Sequence, residues 1–289
     1  MNETAFPSRQ ELKLRAKGMM SRAFFPCCAL GVLMVLGVLV SSWFLQNSGG
    51  AISLYYWDAA GSDIPTSFLL SEEGLFAALR LEEYGLGLSV AVTPTVLYTF
   101  LLVRLIAAAV LAPLQLGCLD CLWAIRQGAP KRMLDVFQWY IDLKKAARAI
   151  LLQAFLWLEQ AVLTVVFSLP ALAVLYFLPA TEVSFSAALW LLLLGQAAVW
   201  CAMIQFEPVR FQLARTPDAG VGSALRYGRA LLTRRHGAYL KFRLSFLIWE
   251  LMNAFSQGLF QFYLFPYLNL AAMEFTVETE QQIKASSHA

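Results

Sequence analysis

The feature that most constrains this chain is a series of long apolar runs separated by polar and basic stretches. The runs cover about residues 23–45, 88–125, 149–178, 187–206 and 239–275. A helix of about 20 apolar residues spans the hydrocarbon core of a bilayer. The sequence therefore predicts an all-α fold, a polytopic transmembrane helical bundle of five to six spans. The last run is long enough for one span plus a re-entrant piece, or for two short spans divided near 257–258, which we favour.

The overall composition also indicates that lipid surrounds much of the surface. The chain is 59% hydrophobic and 14% charged, whereas soluble domains carry about 25% charged residues. A water-facing surface of ordinary size needs more charge than this. The 5 cysteines (Cys27, Cys28, Cys118, Cys121 and Cys201) all lie in apolar segments, which argues against a secreted disulfide framework.

The polar segments divide one predicted membrane domain, 1–289, into parts. These are a cytoplasmic arm at 1–22, an extracytoplasmic loop at 46–86, cytoplasmic linkers at 126–148 and 207–238, and a tail at 276–289. We expect amphipathic surface helices in the arm and in both linkers, and a short interfacial helix at 75–84. The tail is polar, and we expect it to be frayed.

Basic residues are distributed unevenly among these segments. The arm, the first linker and the stretch 207–243 hold 19 of the 22 lysines and arginines, whereas the opposing loops hold only Arg80. Cytoplasmic loops of membrane proteins carry an excess of basic residues. The sequence therefore predicts a multi-pass protein of a bacterial cytoplasmic membrane with its N-terminus in the cytoplasm.

Several short motifs resemble one known family. They are Ser8-Arg9-x-Glu11-Leu12-Lys13-x-Arg15-Ala16-Lys17, Pro113-Leu114-x-Leu116-Gly117 leading to Arg126-x-Gly128, Ala224-Leu225, Leu244-Ser245-Phe246 with Trp249, and Phe265-Pro266-Tyr267. Together they resemble the bacterial integral-membrane family "domain of unknown function 975". Ala112 stands where that family usually has glycine, and a Pro-Gly element expected near the fourth span is missing. The resemblance implies a multi-span membrane protein and implies no activity.

Four charged residues fall within or near the predicted spans: Arg104, Asp120, Glu159 and Glu250. A charge at the bilayer centre is costly, so it normally faces protein or water and has a partner. These residues are therefore candidates for an intramembrane polar site, either a relay for ions or a site for a charged solute. The alternative is a structural one, in which Arg104 pairs with Glu159 or Glu250, or a glutamate stays protonated.

The basic linkers suggest a partner surface. We expect anionic lipid headgroups to contact Arg126, Lys144, Lys145, Arg226, Arg229, Arg234 and Arg235. Lipid is favoured over nucleic acid because cytoplasmic loops lie beside anionic headgroups, at about 1 kcal/mol per basic residue. Cys118 and Cys121 have the spacing of a metal or redox pair, but the chain shows no second pair and no histidine cluster. We therefore predict packing cysteines, no metal and no cofactor.

Two functions remain open at this point. The first is a non-catalytic organising, sensing or accessory protein that acts on lipids or partners through its basic helices. The second is a small-solute or ion transporter or channel with a polar path through Arg104, Glu159 and Glu250. The sequence contains no recognisable catalytic motif, which weighs against an enzyme. It identifies no protein partner and leaves homo-oligomerisation open.

Overall fold

A computed structural model of the chain describes residues 6–47, 54–58, 75–81, 86–92, 94–178, 182–233, 235–256 and 258–287. Most of these residues are helical, which confirms the helical fold class. Four of the described helical stretches are long and apolar enough to cross a membrane, namely Phe24–Ser41, Leu105–Arg126, Leu143–Val174 and Ser186–Arg215. A bundle of five or six spans is not confirmed.

Two helices form the N-terminal region, α1 (Arg9–Arg22) and α2 (Phe24–Asn47). The Ser8 hydroxyl caps α1 by accepting a hydrogen bond of 3.2 Å from the Glu11 amide. This confirms the helix expected in the arm. Within α2, Gly31 allows a very close approach, because a Cβ at this position would clash with the Phe262 carbonyl oxygen.

A small antiparallel sheet follows, with strands β1 (Leu54–Asp58), β2 (Leu75–Leu81) and β3 (Leu86–Val92) in the order β1-β3-β2. The helix expected at 75–84 is therefore wrong. In β2, Ala78 pairs with Ser89 of the central strand, which also pairs with Tyr55 of β1. Pairing with β3 decides the conformation of this segment, because partner strands override a weak local preference.

The next helices are α3 (Pro94–Arg126), α4 (Gln138–Ile141), α5 (Leu143–Phe177) and α6 (Glu182–Met203). Gly128 ends α3 with a positive φ of 75°, and the Ala129 amide then donates to the Ala124 carbonyl. This left-handed conformation favours glycine and terminates helices. The predicted linker at 126–148 thus contains a short helix, and its last basic residues lie in the first turns of α5.

The C-terminal helices are α7 (Glu207–Arg215), α8 (Val221–Thr233), α9 (His236–Leu244), α10 (Leu247–Phe255) and α11 (Gln261–Ser287). The apolar run 239–275 is divided where the sequence suggested, and Gly258 with φ 89° marks the break. The first piece, α10, has only 9 residues, too few to cross a bilayer as a helix.

The frayed tail expected at 276–289 is also wrong for the described residues, since α11 continues to Ser287. Met273 and Thr279 on this helix have no exposed surface, and Phe275 is 1% exposed. The helix packs against α1. Tertiary contacts therefore hold the polar end of α11 in helical form, which composition alone did not reveal.

The chain divides into two compact units. Unit 1 comprises Met1–Val40, Ala109–Leu156 and Met203–Ala289, and unit 2 comprises Ser41–Ala108 and Trp157–Ala202. Both units draw on the long helices α2, α3 and α5. All three segments predicted to be basic and cytoplasmic belong to unit 1, whereas the predicted extracytoplasmic loop belongs to unit 2. The expectation of a single membrane domain stays a prediction.

Candidate functional site

A group of charged side chains surrounds a cavity of about 290 Å³ in unit 1. At its centre, the Arg243 Nη2 atom of α9 lies 3.1 Å from Glu207 Oε1 and 3.2 Å from Glu250 Oε1. Arg243 is only 7% exposed. One nitrogen of a buried guanidinium thus bridges carboxylates from α7 and α10, and the cluster fixes the relative positions of three short helices.

The guanidinium of Arg243 is incompletely paired. Its Nε and Nη1 atoms, and the Oδ1 atom of Asn253, are buried without a hydrogen-bond partner among the described residues. Each buried polar group left unpaired costs about 1–3 kcal/mol. The cluster therefore has unused donors on a cation and an unused acceptor, both belonging to residues that border the cavity.

Two further side chains make hydrogen bonds close to this cluster: Tyr239, which binds Glu207, and Arg210, which also borders the cavity. The Tyr239 hydroxyl donates a hydrogen bond to Glu207 Oε2, and the Arg210 Nη2 atom donates to Gln153 Oε1 at 3.4 Å. Burial raises the pKa of the Glu250 carboxyl, the Arg243 guanidinium opposes this rise, and the Glu207 carboxylate adds to it. The residues around the cavity thus include two cationic side chains, Arg210 and Arg243, and two carboxylates, Glu207 and Glu250.

A second polar array lines the C-terminal half of α11. Three carboxylates of this helix bind arginines from three other helices: Glu274 with Arg126 of α3 at 2.5 Å, Glu278 with Arg15 of α1 at 2.5 Å, and Glu280 with Arg215 of α7 at 2.9 Å. Trp123 lies between two of the arginines, with the guanidinium carbons of Arg126 and Arg215 each 5.2 Å from its ring centre. We call these three pairs the α11 ion-pair array.

The four predicted intramembrane residues are in different surroundings. Glu250 borders the cavity. Asp120 accepts hydrogen bonds from Lys131 Nζ at 2.7 Å through both oxygens, so it is paired with the first linker. Glu159 is half-buried in unit 2. The side chain of Arg104 lies outside the described residues, and so does any pairing with it.

The seven basic residues predicted to contact lipid are also in mixed surroundings. Arg126 belongs to the α11 ion-pair array, Lys145 lies 3.8 Å from Asp142, and Arg235 donates to Gln282. Arg229 lies over the Phe206 ring at 5.3 Å, and Arg234 lies outside the described residues. Lys144 and Arg226 are exposed, and within the described part of the chain neither is within 4 Å of a carboxylate oxygen. Lipid contact stays a prediction for all seven.

Sequence reasoning did not identify the residues that organise both polar groups. The sequence places Arg243 among many basic residues of the stretch 207–243 and indicates no role for Glu207, and it places Glu278 and Glu280 in a tail expected to be frayed. One signal was present. Glu274 and Glu278 lie four positions apart, on one side of a helical segment, in a chain whose basic residues need partners.

No protein-family model matches this chain, and no curated protein and no solved structure was found to be similar to it. The resemblance to the family "domain of unknown function 975" therefore stays a prediction.

Proposed function

We propose that this chain is a non-catalytic, multi-pass protein of a bacterial cytoplasmic membrane, with its N-terminus in the cytoplasm. It organises, senses or assists lipids or partner proteins through its basic cytoplasmic helices. The observation that carries the proposal is the assembly of all three basic segments in unit 1, together with α1 and α11. An excess of lysine and arginine marks the cytoplasmic side of a membrane protein.

The contact between the terminal helices supports an even number of crossings. Arg15 of α1 is 2.5 Å from Glu278 of α11, and the Phe6 ring packs edge to face against the Phe275 ring, with ring centres 5.0 Å apart. Helices that touch in this way lie on the same side of a membrane. The four apolar helical stretches found in the structure satisfy this requirement, and five spans do not.

The surface of unit 1 carries basic side chains beyond those in the α11 ion-pair array. Lys17, Arg22, Lys144 and Arg226 are exposed, and none of these four is within 4 Å of a carboxylate in the part of the chain that the structure describes. Each basic residue near an anionic membrane surface contributes about 1 kcal/mol of binding free energy. These residues are therefore suited to hold anionic headgroups, whereas the paired arginines serve the fold.

A double substitution tests this division. The double variant K144Q/R226Q removes two unpaired charges, and R15Q/R215Q removes two charges that carboxylates of α11 hold. Retention of phosphatidylglycerol relative to phosphatidylcholine is measured by native mass spectrometry of the full chain released from mixed micelles. We expect the first variant to weaken phosphatidylglycerol binding by about 10- to 30-fold, on the basis of about 1 kcal/mol per charge.

The matched variant R15Q/R215Q should retain phosphatidylglycerol like the unsubstituted protein while melting at a lower temperature. Equal retention by K144Q/R226Q and the unsubstituted protein would remove lipid contact from the proposal. Equal losses in both variants would show that total charge, rather than the unpaired residues, determines lipid retention.

The transporter function is a second candidate, and one observation favours it: Glu250 borders a polar cavity. Glu159 belongs to unit 2 and Glu250 to unit 1, and the side chain of Arg104 lies outside the described residues. Transport along a path through these three residues therefore remains the second proposal for the function of this protein.

A further inference from the structure

The cavity in unit 1 has features of a binding site that the lipid-contact proposal does not use. Five helices contribute to its wall: α3, α7, α9, α10 and α11. Its charged residues are Glu207 and Arg210 from α7, Arg243 from α9 and Glu250 from α10. Binding sites for small molecules combine an apolar wall with a few convergent polar groups, and Phe211 and Leu268 supply apolar surface here.

The charges around the cavity are balanced. Two guanidinium groups face two carboxylates, so a ligand with a net charge would leave one charge of the site uncompensated. Removing an unpaired charge from water is unfavourable. A ligand with one anionic and one cationic group matches this arrangement, because each of its groups meets a charge of opposite sign.

The unused hydrogen-bonding groups specify the chemistry further. Arg243 uses only Nη2 toward its two carboxylates, and its Nε and Nη1 donors have no acceptor among the described residues. An arginine with free donors takes a carboxylate or phosphate oxygen. Conversely, Asn253 Oδ1 has no donor among the described residues, and the carboxylates of Glu207 and Glu250 are acceptors suited to an ammonium group.

The size of the cavity limits the ligand. A water molecule occupies about 30 Å³ in the liquid, so the cavity of about 290 Å³ holds a molecule of about ten non-hydrogen atoms. Many amino acids and glycerophosphoethanolamine are near this size, and each is a zwitterion because one anionic group balances one ammonium. The headgroup of phosphatidylethanolamine has the same chemistry, a phosphate and a primary ammonium a few bonds apart.

We propose that the cavity between α7, α9, α10 and α11 binds a small zwitterion. Its anionic oxygen group pairs with Arg243 and Arg210, and its primary ammonium pairs with Glu250 and Glu207. The ligand is either a free solute or a lipid headgroup, since both present the same two groups. This site does not depend on lipid contact at Lys144 or Arg226, so the two proposals can fail separately.

Matched probes test the requirement for N–H donors. The full chain in detergent is titrated by isothermal calorimetry with glycerophosphoethanolamine and with glycerophosphocholine, which keeps the singly charged phosphodiester but has no N–H on its nitrogen. The common amino acids form a second panel of probes. For the lipid source, retention of phosphatidylethanolamine and phosphatidylcholine is compared after exchange into nanodiscs that contain equal amounts of both.

We expect saturable binding of at least one primary-ammonium probe, at least 10-fold tighter than binding of its quaternary counterpart. Binding of free glycerophosphoethanolamine or of an amino acid identifies a solute site. Preference for phosphatidylethanolamine in nanodiscs without binding of free probes identifies a headgroup site. Equal binding of primary and quaternary probes, or no binding in either arm, overturns the proposal.

The variant E250Q separates recognition from folding, because it keeps the shape of the side chain and removes one carboxylate. We expect it to bind the zwitterion at least 10-fold more weakly and to bind inorganic phosphate more tightly, since the site then has an excess positive charge. A purely structural role for Glu250 would not produce this reversal. The matched variant E278Q, on the α11 ion-pair array, should leave both affinities unchanged.

If E250Q does not fold, R243K provides the second variant. Lysine keeps the positive charge but cannot present the paired donors of a guanidinium. We expect R243K to weaken binding of the anionic end by about 10-fold with the preference for primary ammonium retained. Unchanged affinity in R243K would overturn the assignment of the anionic group to Arg243.

Discussion

The middle of α11 in unit 1 and the parts of α5 and α6 in unit 2 use apolar residues in opposite ways. In unit 1, Leu270, Ala271, Ala272 and Met273 of α11 have no exposed surface, and Glu274 and Glu278 of the same helix pair with arginines of α3 and α1. In unit 2, the large apolar side chains of α5 and α6 point outward, with Val165 62% exposed, Trp190 67% and Leu194 64%. The same residue types pack against protein in one region and against the surroundings in the other.

This difference shows what mean hydropathy can and cannot report. The apolar stretch of α5 is 11% buried within the protein, whereas the stretch of α3 that begins at Leu105 is 59% buried, although both are apolar enough to span a membrane. Apolar side chains that point outward along a long helix are stable when lipid is the solvent. Burial by protein and burial by lipid give the same sequence signal, and only the structure separates them.

The largest expected loss of stability comes from truncating an aromatic ring that is buried by protein rather than by lipid. Phe275 contacts Phe6, Tyr239 and Phe242 with ring centres 5.0 to 5.3 Å apart. We expect F275A to destabilise unit 1 by about 3–5 kcal/mol, because truncating a fully buried phenylalanine leaves a cavity. The loss is measured as a lower melting temperature of the full chain in detergent.

The control for this substitution lies in unit 2. Phe177 of α5 is 78% exposed, so its ring packs mainly against detergent or lipid. F177A should change the melting temperature by much less than F275A. Equal shifts in the two variants would show that the exposed apolar surface of unit 2 is covered by protein, for example by a second copy of the chain, and the contrast would fail.

The second prediction concerns the α11 ion-pair array. Glu274 has a side chain that is only 9% exposed and lies 2.5 Å from Arg126. We expect E274Q to cost about 1–3 kcal/mol, because a hydrogen bond to a charged group is lost from a nearly buried site. Thermal unfolding in detergent measures the change, and hydrogen exchange should locate it in α11 and the end of α3.

A matched substitution measures how much free energy an exposed ion pair contributes. Glu11 lies 2.6 Å from Arg15, but its side chain is 50% exposed, and pairs of this kind contribute about 0.3–0.5 kcal/mol. E11Q should therefore be nearly neutral. If E274Q were equally mild, Arg126 would be free to contact lipid headgroups, as the sequence suggested, and the array would lose its structural role.

The sequence predicted the parts of the fold that depend on local pattern. Long apolar helices, the helical arm at 9–22 and the division of the last apolar run at Gly258 all follow from hydropathy and backbone preference. The conformation of 75–81 did not follow, because strand pairing with 86–92 decides it. The helical C-terminus did not follow either, because arginines more than 60 positions away stabilise it.

Only one residue of the candidate site, Glu250, could be predicted from the sequence. Glu250 was identified because a carboxylate in an apolar segment is costly. Its partners Arg243 and Glu207 were not, since each lies beside other charged residues and the sequence gives no sign of which ones point inward. Identifying them requires the packing of α7 against α9 and α10, a tertiary arrangement that no local pattern encodes.

The smallest expected effect is a pH dependence at the end of α11. Burial raises the pKa of Glu280, but hydrogen bonds from Lys284 and Arg215 outweigh it and hold that pKa below its ordinary value. A carboxyl whose pKa is lowered on folding contributes stability above its unfolded pKa, near 4.3, and loses that contribution as the pH falls through the folded value. Because Glu280 is partly exposed, the contribution is about 0.2–1 kcal/mol.

Hydrogen-exchange protection of residues 276–287, corrected for the intrinsic effect of pH, measures this contribution. Protection should fall between about pH 5 and pH 3, the range around the ordinary carboxyl pKa, and E280Q should show lower protection at neutral pH with a flatter acid profile. Protection in unit 2 should not follow this profile, because its long helices are stabilised by apolar contact. If unit 2 lost protection over the same range, acid would act on the whole bundle, and the distinction between an ion-paired and an apolar region would fail.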